Sequence, residues 1–189
     1  MNYFADAGTI LVEVLFGLAA SLFAIRVLLQ LVRANFYNPV CQFFYRFTNP
    51  VLMPMRKLLR PWRNLDLAGT LLVWLLLCAK MWLLVALAGL TLGFSATLVV
   101  GFSELIGFLL MLYFWLILVR VILSFVGQDS RHPMVPLIVQ VTEPVLRPIR
   151  RVLPDLGGID LSPLLVTLAI FLMRALVVAP LRDLGLALA

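Results

Sequence analysis

The sequence predicts an all-α membrane protein: four transmembrane helices arranged as two tandem two-helix repeats, each carrying an interfacial amphipathic helix on the cytoplasmic side. Three observations lead there. The 189 residues are 63% hydrophobic and only 13% charged, whereas soluble domains carry about 25% charged residues, and the mean hydropathy is +1.09. Four apolar runs are each long enough to cross a hydrocarbon core of about 30 Å, which takes about 20 residues at 1.5 Å apiece. A single ungapped offset of 94 residues lays the first half of the chain on the second.

The spans run from Gly8 to Val32, Leu67 to Leu90, Leu98 to Val126 and Leu161 to Leu181. The first is read as a span and not as a cleaved leader: the segment before it, MNYFADAG, holds Asp6 and no Lys or Arg, and the apolar run outlasts a secretory h-region.

The offset pairs Arg26 with Arg120, Pro39 with Pro133, Thr48 with Thr142, Pro50-Val51-Leu52 with Pro144-Val145-Leu146, Pro54 with Pro148, Arg56 with Arg150 and Asp66-Leu67 with Asp160-Leu161. Between residues 48 and 67 it gives nine identities in twenty positions, where composition alone gives about one to three. The repeats are assigned to residues 1–94 and 95–189. Two spans per unit is an even number, so both units enter the bilayer in the same sense, as a parallel repeat.

Basic residues set the orientation. Between the first two spans lie Arg33, Arg46, Arg56, Lys57, Arg60 and Arg63; between the last two lie Arg131, Arg147, Arg150 and Arg151. Residues 91–97 carry no charge, and the termini carry only Asp6, Arg182 and Asp183. The positive-inside rule therefore puts both connecting loops in the cytoplasm and both termini outside.

Each loop contains a basic arm. In the second, Pro144 suits the first turn of a helix, since its missing N–H costs nothing there. A helix running on to Leu153 would gather Val145, Ile149 and Val152 on one face and Arg147, Arg150 and Arg151 on another. That is the pattern of a short helix lying in the headgroup zone, apolar side down. Gly157 and Gly158 permit a turn back into the bilayer. Asp160 or Ser162 can cap the last span, with Pro163 in its first turn; Asp66 stands in the matching place of the first unit.

These residues resemble a known family. FYNPVCQF at 36–43, TNPVLMPMRKLL at 48–59 and TEPVLRPIRRVLPDLGGIDLSPLL at 142–165 are similar to the YggT family, also called YlmG in some bacteria and in chloroplasts. The likeness covers nearly the whole chain. It departs at Phe125, where the family pattern calls for tryptophan. The resemblance implies a bacterial inner-membrane protein linked to osmotic or ionic stress tolerance or to the surroundings of division genes, and in plastids to nucleoid distribution and cytochrome assembly.

Charges inside the spans are the residues able to carry a mechanism. Measured along the helices, Arg26 and Arg120 lie about 10 to 14 Å below the cytoplasmic edge, and Lys80 and Arg174 about 20 Å below it. Each costs about 2.5 to 3.5 kcal/mol at a span centre, which the apolar neighbours outweigh. The shallow arginines either snorkel to phosphate or pair, Arg26 with Asp66 and Arg120 with Asp160. For the deep pair the expected counter-charge is Glu13, with Glu104 placed at the outer interface.

Three function classes follow. A membrane scaffold or assembly factor would hold anionic phospholipid, or an acidic partner protein, on Arg56, Lys57, Arg60, Arg147, Arg150 and Arg151, each worth about 1 kcal/mol at an anionic leaflet. An oligomeric anion conduit would use the deep cations. An enzyme or haem handler finds no support: there is no CxxCH, no paired histidine beside His132, no metal-like spacing of Cys41 and Cys78, and no nucleophile set beside a base. No cofactor is expected. A direct nucleic-acid role is not expected either, because the basic residues hug the membrane and lack interleaved aromatics.

Overall fold

Caps and prolines start the helices where the apolar runs begin. The computed structural model describes residues 3–126, 132–153 and 160–188. Helix α1 (Tyr3–Leu31) ends on a left-handed Arg33, with φ of 53°, and the Ala34 N–H reaches back to the Leu29 carbonyl at 2.9 Å. Helix α2 (Pro39–Leu58) opens on Asn38, whose side chain accepts the Val40 N–H at 2.9 Å, with Pro39 in the first turn. Helix α3 (Leu67–Leu87) opens on Asp66, which accepts the Gly69 N–H at 3.2 Å. Then follow α4 (Phe94–Val126), α5 (Met134–Val152) and α6 (Ser162–Met173). A π-helical turn, Arg174–Val178, joins α6 to α7 (Ala179–Leu186).

Four helical stretches are long and apolar enough to cross a membrane: Asp6–Leu31, Leu67–Leu87, Phe94–Phe125 and Ser162–Leu186, the last counting α6, the π turn and α7 as one rod. The third begins four residues before the expected Leu98 and the fourth ends five residues beyond the expected Leu181, so both are longer than the hydropathy pattern implied.

Packing runs α1 to α3 to α4, with α6 and α7 beyond α4. At the α3–α4 contact, a Cβ added to Gly101 would overlap the Cys78 sulfur and lie 3.3 Å from the Cys78 Cα, so only glycine lets these helices approach as they do. Helices α2 and α5 lie at the end of the bundle where the basic residues collect, here called the basic end.

Three apolar clusters join these parts. Leu52 of α2 is fully buried among Ala20, Phe23, Ala24, Val73 and Leu77 of α1 and α3. Leu146 of α5 is likewise fully buried, among Ile117, Val166 and Ile170 of α4 and α6. Between them, Leu28 and Leu29 of α1 meet Cys41 of α2 and Leu137 and Val141 of α5. An apolar cavity of about 70 Å³ remains at that junction. Hydrogen bonds tie the halves together there: Asn38 Nδ2 donates to the Pro133 carbonyl at 2.6 Å, and Gln140 Nε2 to the Val32 carbonyl at 3.1 Å and the Arg33 carbonyl at 3.5 Å.

The structure corrects the expected arm helix. Pro144 is not in a first turn; α5 starts ten residues earlier at Met134 and carries Pro144 and Pro148 in its interior, as α2 carries Pro50 and Pro54. Burial explains this, because Leu137, Ile138, Val141, Thr142 and Leu146 are all buried and anchor the added turns. That apolar stripe packs on α1, α4 and α6. Val145 and Ile149 flank it, but Val152 is 86% exposed and leaves the expected face. Arg131, Gly157 and Gly158 lie outside the described residues.

Candidate functional site

The polar chemistry of this apolar molecule gathers where α2 and α5 meet the spans. In the first half, Asp66 is fully buried at the start of α3 and forms an ion pair with Arg56 through Nη2, while the same nitrogen donates to Gln30 Oε1 of α1 at 2.9 Å. Burial works against the Arg56 charge, but the hydrogen bond and ion pair with Asp66 outweigh it and hold the guanidinium more firmly protonated than usual.

In the second half, Arg150 Nη2 meets Asp160 Oδ2 at 2.8 Å, and Nη1 meets Glu143 Oε1 at 3.2 Å. The Asp160 carboxylate also accepts the Ser162 N–H at 2.9 Å, although Leu161 occupies the N-cap position and contributes no side-chain bond. Hydrogen bonding to Asp160 strengthens the Arg150 charge. Asp160 itself is pushed up by burial and pulled down further by Ser162 and Arg150, so its carboxyl ends below the ordinary range. Glu143 is held down by its hydrogen bond from Arg120 and by the nearby arginines.

The expected partners of the shallow arginines are therefore replaced. Asp66 and Asp160 go to Arg56 and Arg150, ten residues away within the same half, and not to Arg26 and Arg120. Arg120 instead reaches Glu143 Oε2 and Thr142 Oγ1 of α5, each at 2.8 Å. Arg26 does not snorkel: it is 1% exposed, its guanidinium carbon sits 4.0 Å over the Tyr45 ring centroid, and its Nε and Nη2 have no hydrogen-bond partner among the described residues. An unpaired buried guanidinium has no signature in hydropathy or spacing; the one trace in the sequence is that Asn49 stands where the second half has Glu143.

The deep cations also differ from expectation. Lys80 pairs with Glu104 of α4 at 3.6 Å and not with Glu13. Because α4 starts at Phe94, Glu104 lies about 15 Å along that helix, within the apolar stretch Phe94–Phe125. Glu13 is exposed on the outer surface of α1 with no ion pair. Arg174 is exposed at the start of the π turn, with Nη1 on the Met111 sulfur at 3.1 Å.

Of the six arm cations, Arg56 and Arg150 are committed to carboxylates, while Lys57, Arg60, Arg147 and Arg151 are exposed and form no ion pair with any of the described residues. Among the described residues, no group of three His, Cys, Asp or Glu side chains is placed to hold a metal ion.

A family model described as CCB3/YggT matches residues 6–87 and 99–181. An uncharacterized protein of Vibrio alginolyticus is 40% identical over 156 residues, spanning 82% of this chain and 84% of that protein. An uncharacterized protein of Pseudomonas aeruginosa is 36% identical over 156 residues, spanning 82% and 79%. The uncharacterized protein YggT of Escherichia coli K12 is 31% identical over 166 residues, spanning 88% and 86%. No solved structure matches the chain.

Proposed function

We propose that this chain, which belongs to the CCB3/YggT family, is a non-enzymatic scaffold or assembly factor of the bacterial inner membrane that gathers anionic phospholipid beneath its basic end. The observation that carries this reading is the set of four exposed cations, Lys57, Arg60, Arg147 and Arg151, which no carboxylate among the described residues engages, whereas Arg56 and Arg150 are paired. At about 1 kcal/mol each beside an anionic leaflet, they amount to about 4 kcal/mol per chain, enough to enrich acidic lipid strongly.

The doubled-hairpin organisation supports the same reading. The family model meets the chain in two segments, 6–87 and 99–181. Leu52 and Leu146, 94 positions apart, are both fully buried under their own half's spans. Two parallel copies put both arms at the cytoplasmic leaflet, where α2 and α5 act as amphipathic struts: one face grips the spans and the other offers cations to headgroups. A platform of this kind suits a role in osmotic or ionic stress or in envelope and division organisation, with an acidic cytoplasmic protein as a further partner.

The test is lipid retention. Reversing Lys57, Arg60, Arg147 and Arg151 to Glu should reduce the phosphatidylglycerol carried through detergent extraction several-fold; retention equal to that of the unaltered protein would remove the mechanism.

A second reading, an oligomeric anion conduit, is favoured by Glu13 and Arg174, opposite charges on outward faces of the spans. A second copy would let them meet, which relieves the cost of each in lipid. Ion flux across liposomes under an osmotic step, altered by Arg174→Gln, separates the conduit from the scaffold.

A further inference from the structure

We propose that Arg26 forms the floor of a binding site for a phosphate-type oxyanion, in the place that the Glu143 carboxylate fills in the other half. Arg120, at the corresponding position, has both acceptors it needs, Glu143 and Thr142, each at 2.8 Å. Asn49 stands at the position that corresponds to Glu143, and an amide brings no negative charge. The Thr48 hydroxyl, the counterpart of Thr142, donates to the Phe44 carbonyl at 2.6 Å and receives nothing from Arg26. The Asn49 Oδ1 is itself buried without a donor.

The charge count of each cluster differs by one. Arg120 and Arg150 face two carboxylates, Glu143 and Asp160. Arg26 and Arg56 share a single carboxylate, Asp66, and Arg56 already occupies it. The surplus charge is buried, which is costly unless an anion with good hydrogen-bond geometry joins it.

The free edge of Arg26 fits such a group. Nε and Nη2 form the side of the guanidinium fork that Arg56 and Arg150 each present to their aspartates. That fork matches the paired oxygens of a phosphate. An approach exists as well: an open hollow of about 430 Å³ is lined by Phe36, Gln42, Tyr45, Arg46 and Asn49. Tyr45 belongs to both the hollow and the Arg26 contact, and Arg46 adds a second cation to the hollow's lining. Phosphate is the oxyanion that fits because it offers several acceptor oxygens and enough charge for both arginines.

The site does not rest on the scaffold reading, since none of Lys57, Arg60, Arg147 or Arg151 lines it. The experiment is native mass spectrometry of the full chain in phosphate-free detergent, after incubation with inorganic phosphate or with phosphatidylglycerol in mixed micelles. The unaltered protein should hold one phosphorus-bearing molecule per chain at this site, apart from any phosphatidylglycerol gathered on Lys57, Arg60, Arg147 and Arg151; its mass tells a lipid headgroup from free phosphate. Asn49→Glu, which supplies the missing carboxylate, should weaken that binding at least tenfold, as should Arg26→Gln. Glu143→Gln should create a second site and raise the count to two. A variant with Lys57, Arg60, Arg147 and Arg151 changed to Gln should keep the single molecule. Should Arg26→Gln fail to fold, Asn49→Glu and Glu143→Gln decide. Undiminished binding in Asn49→Glu, a protein that holds no phosphorus in either incubation, or co-purification of an acidic protein in its place would overturn the proposal.

Discussion

Arg150 grips Asp160 at 2.8 Å across ten residues of chain, and in doing so fastens the end of α5 to the start of α6. Arg56 and Asp66 make the same connection between α2 and α3. The two ties differ in setting: the Asp66 side chain is fully buried, whereas that of Asp160 is 41% exposed.

That difference predicts unequal losses. Asp66→Ala strips a buried carboxylate from Arg56 and removes the cap on Gly69, so it should cost about 3 kcal/mol or more. Asp160→Ala disturbs a solvent-screened pair and should cost about 1 kcal/mol or less. Thermal unfolding of the two variants in the same detergent checks the order; equal midpoints would contradict it.

Acid should loosen the second arm before the spans melt. Asp160 and Glu143 are both held below the ordinary carboxylate range. A lowered folded-state value means that the stabilisation is complete above the ordinary values, about 4, and is lost as pH falls through the lower, folded ones. The mobility of a spin label placed at Leu153, followed from pH 7 downward, should rise below about pH 4. Glu143→Gln with Asp160→Asn should flatten that response.

Lys80 and Glu104 should behave as a unit. Glu104→Gln leaves an ammonium inside the span region without its counter-charge and should destabilise by about 3 kcal/mol. Lys80→Met combined with Glu104→Leu removes both charges and should restore most of the loss. A titration from mild detergent into sodium dodecyl sulfate reads the cycle; additive losses would mean that the 3.6 Å pair carries no coupling.

Helix contact at Gly101 makes a steric prediction. Gly101→Val forces atoms against Cys78 and should cost about 1 to 3 kcal/mol through overpacking. Gly17→Val is the control, because a Cβ there meets nothing within 4 Å. Equal stability of the two variants would place the α3–α4 contact elsewhere.

How much of this was legible beforehand varies with the kind of information each feature needs. The spans were readable because twenty apolar residues have few other uses, and the starts of the second and fourth followed Asp66 and Pro163. Helix α5 was not, because Pro144 reads locally as a beginning; only burial of Leu137 to Thr142 against three other helices outweighs the proline penalty. The 94-residue offset located Arg56, Arg150, Asp66 and Asp160 but could not say which pairs form, since a ten-residue separation across a turn has no fixed geometry. The pairing of Lys80 with Glu104 was hidden because hydropathy does not say which faces of two neighbouring spans meet. The isolation of Arg26 was hidden for a different reason: it arises from Asn49, a substitution that an alignment of identities passes over.

The account stands on both basic arms sharing the cytoplasmic face, and topology labelling tests this most directly. In a background without Cys41 and Cys78, cysteines placed at Lys57 and at Arg151 should both resist an impermeant maleimide in intact cells and both react once the membrane is opened. Labelling of either one from outside, with the other reached only from within, would contradict it.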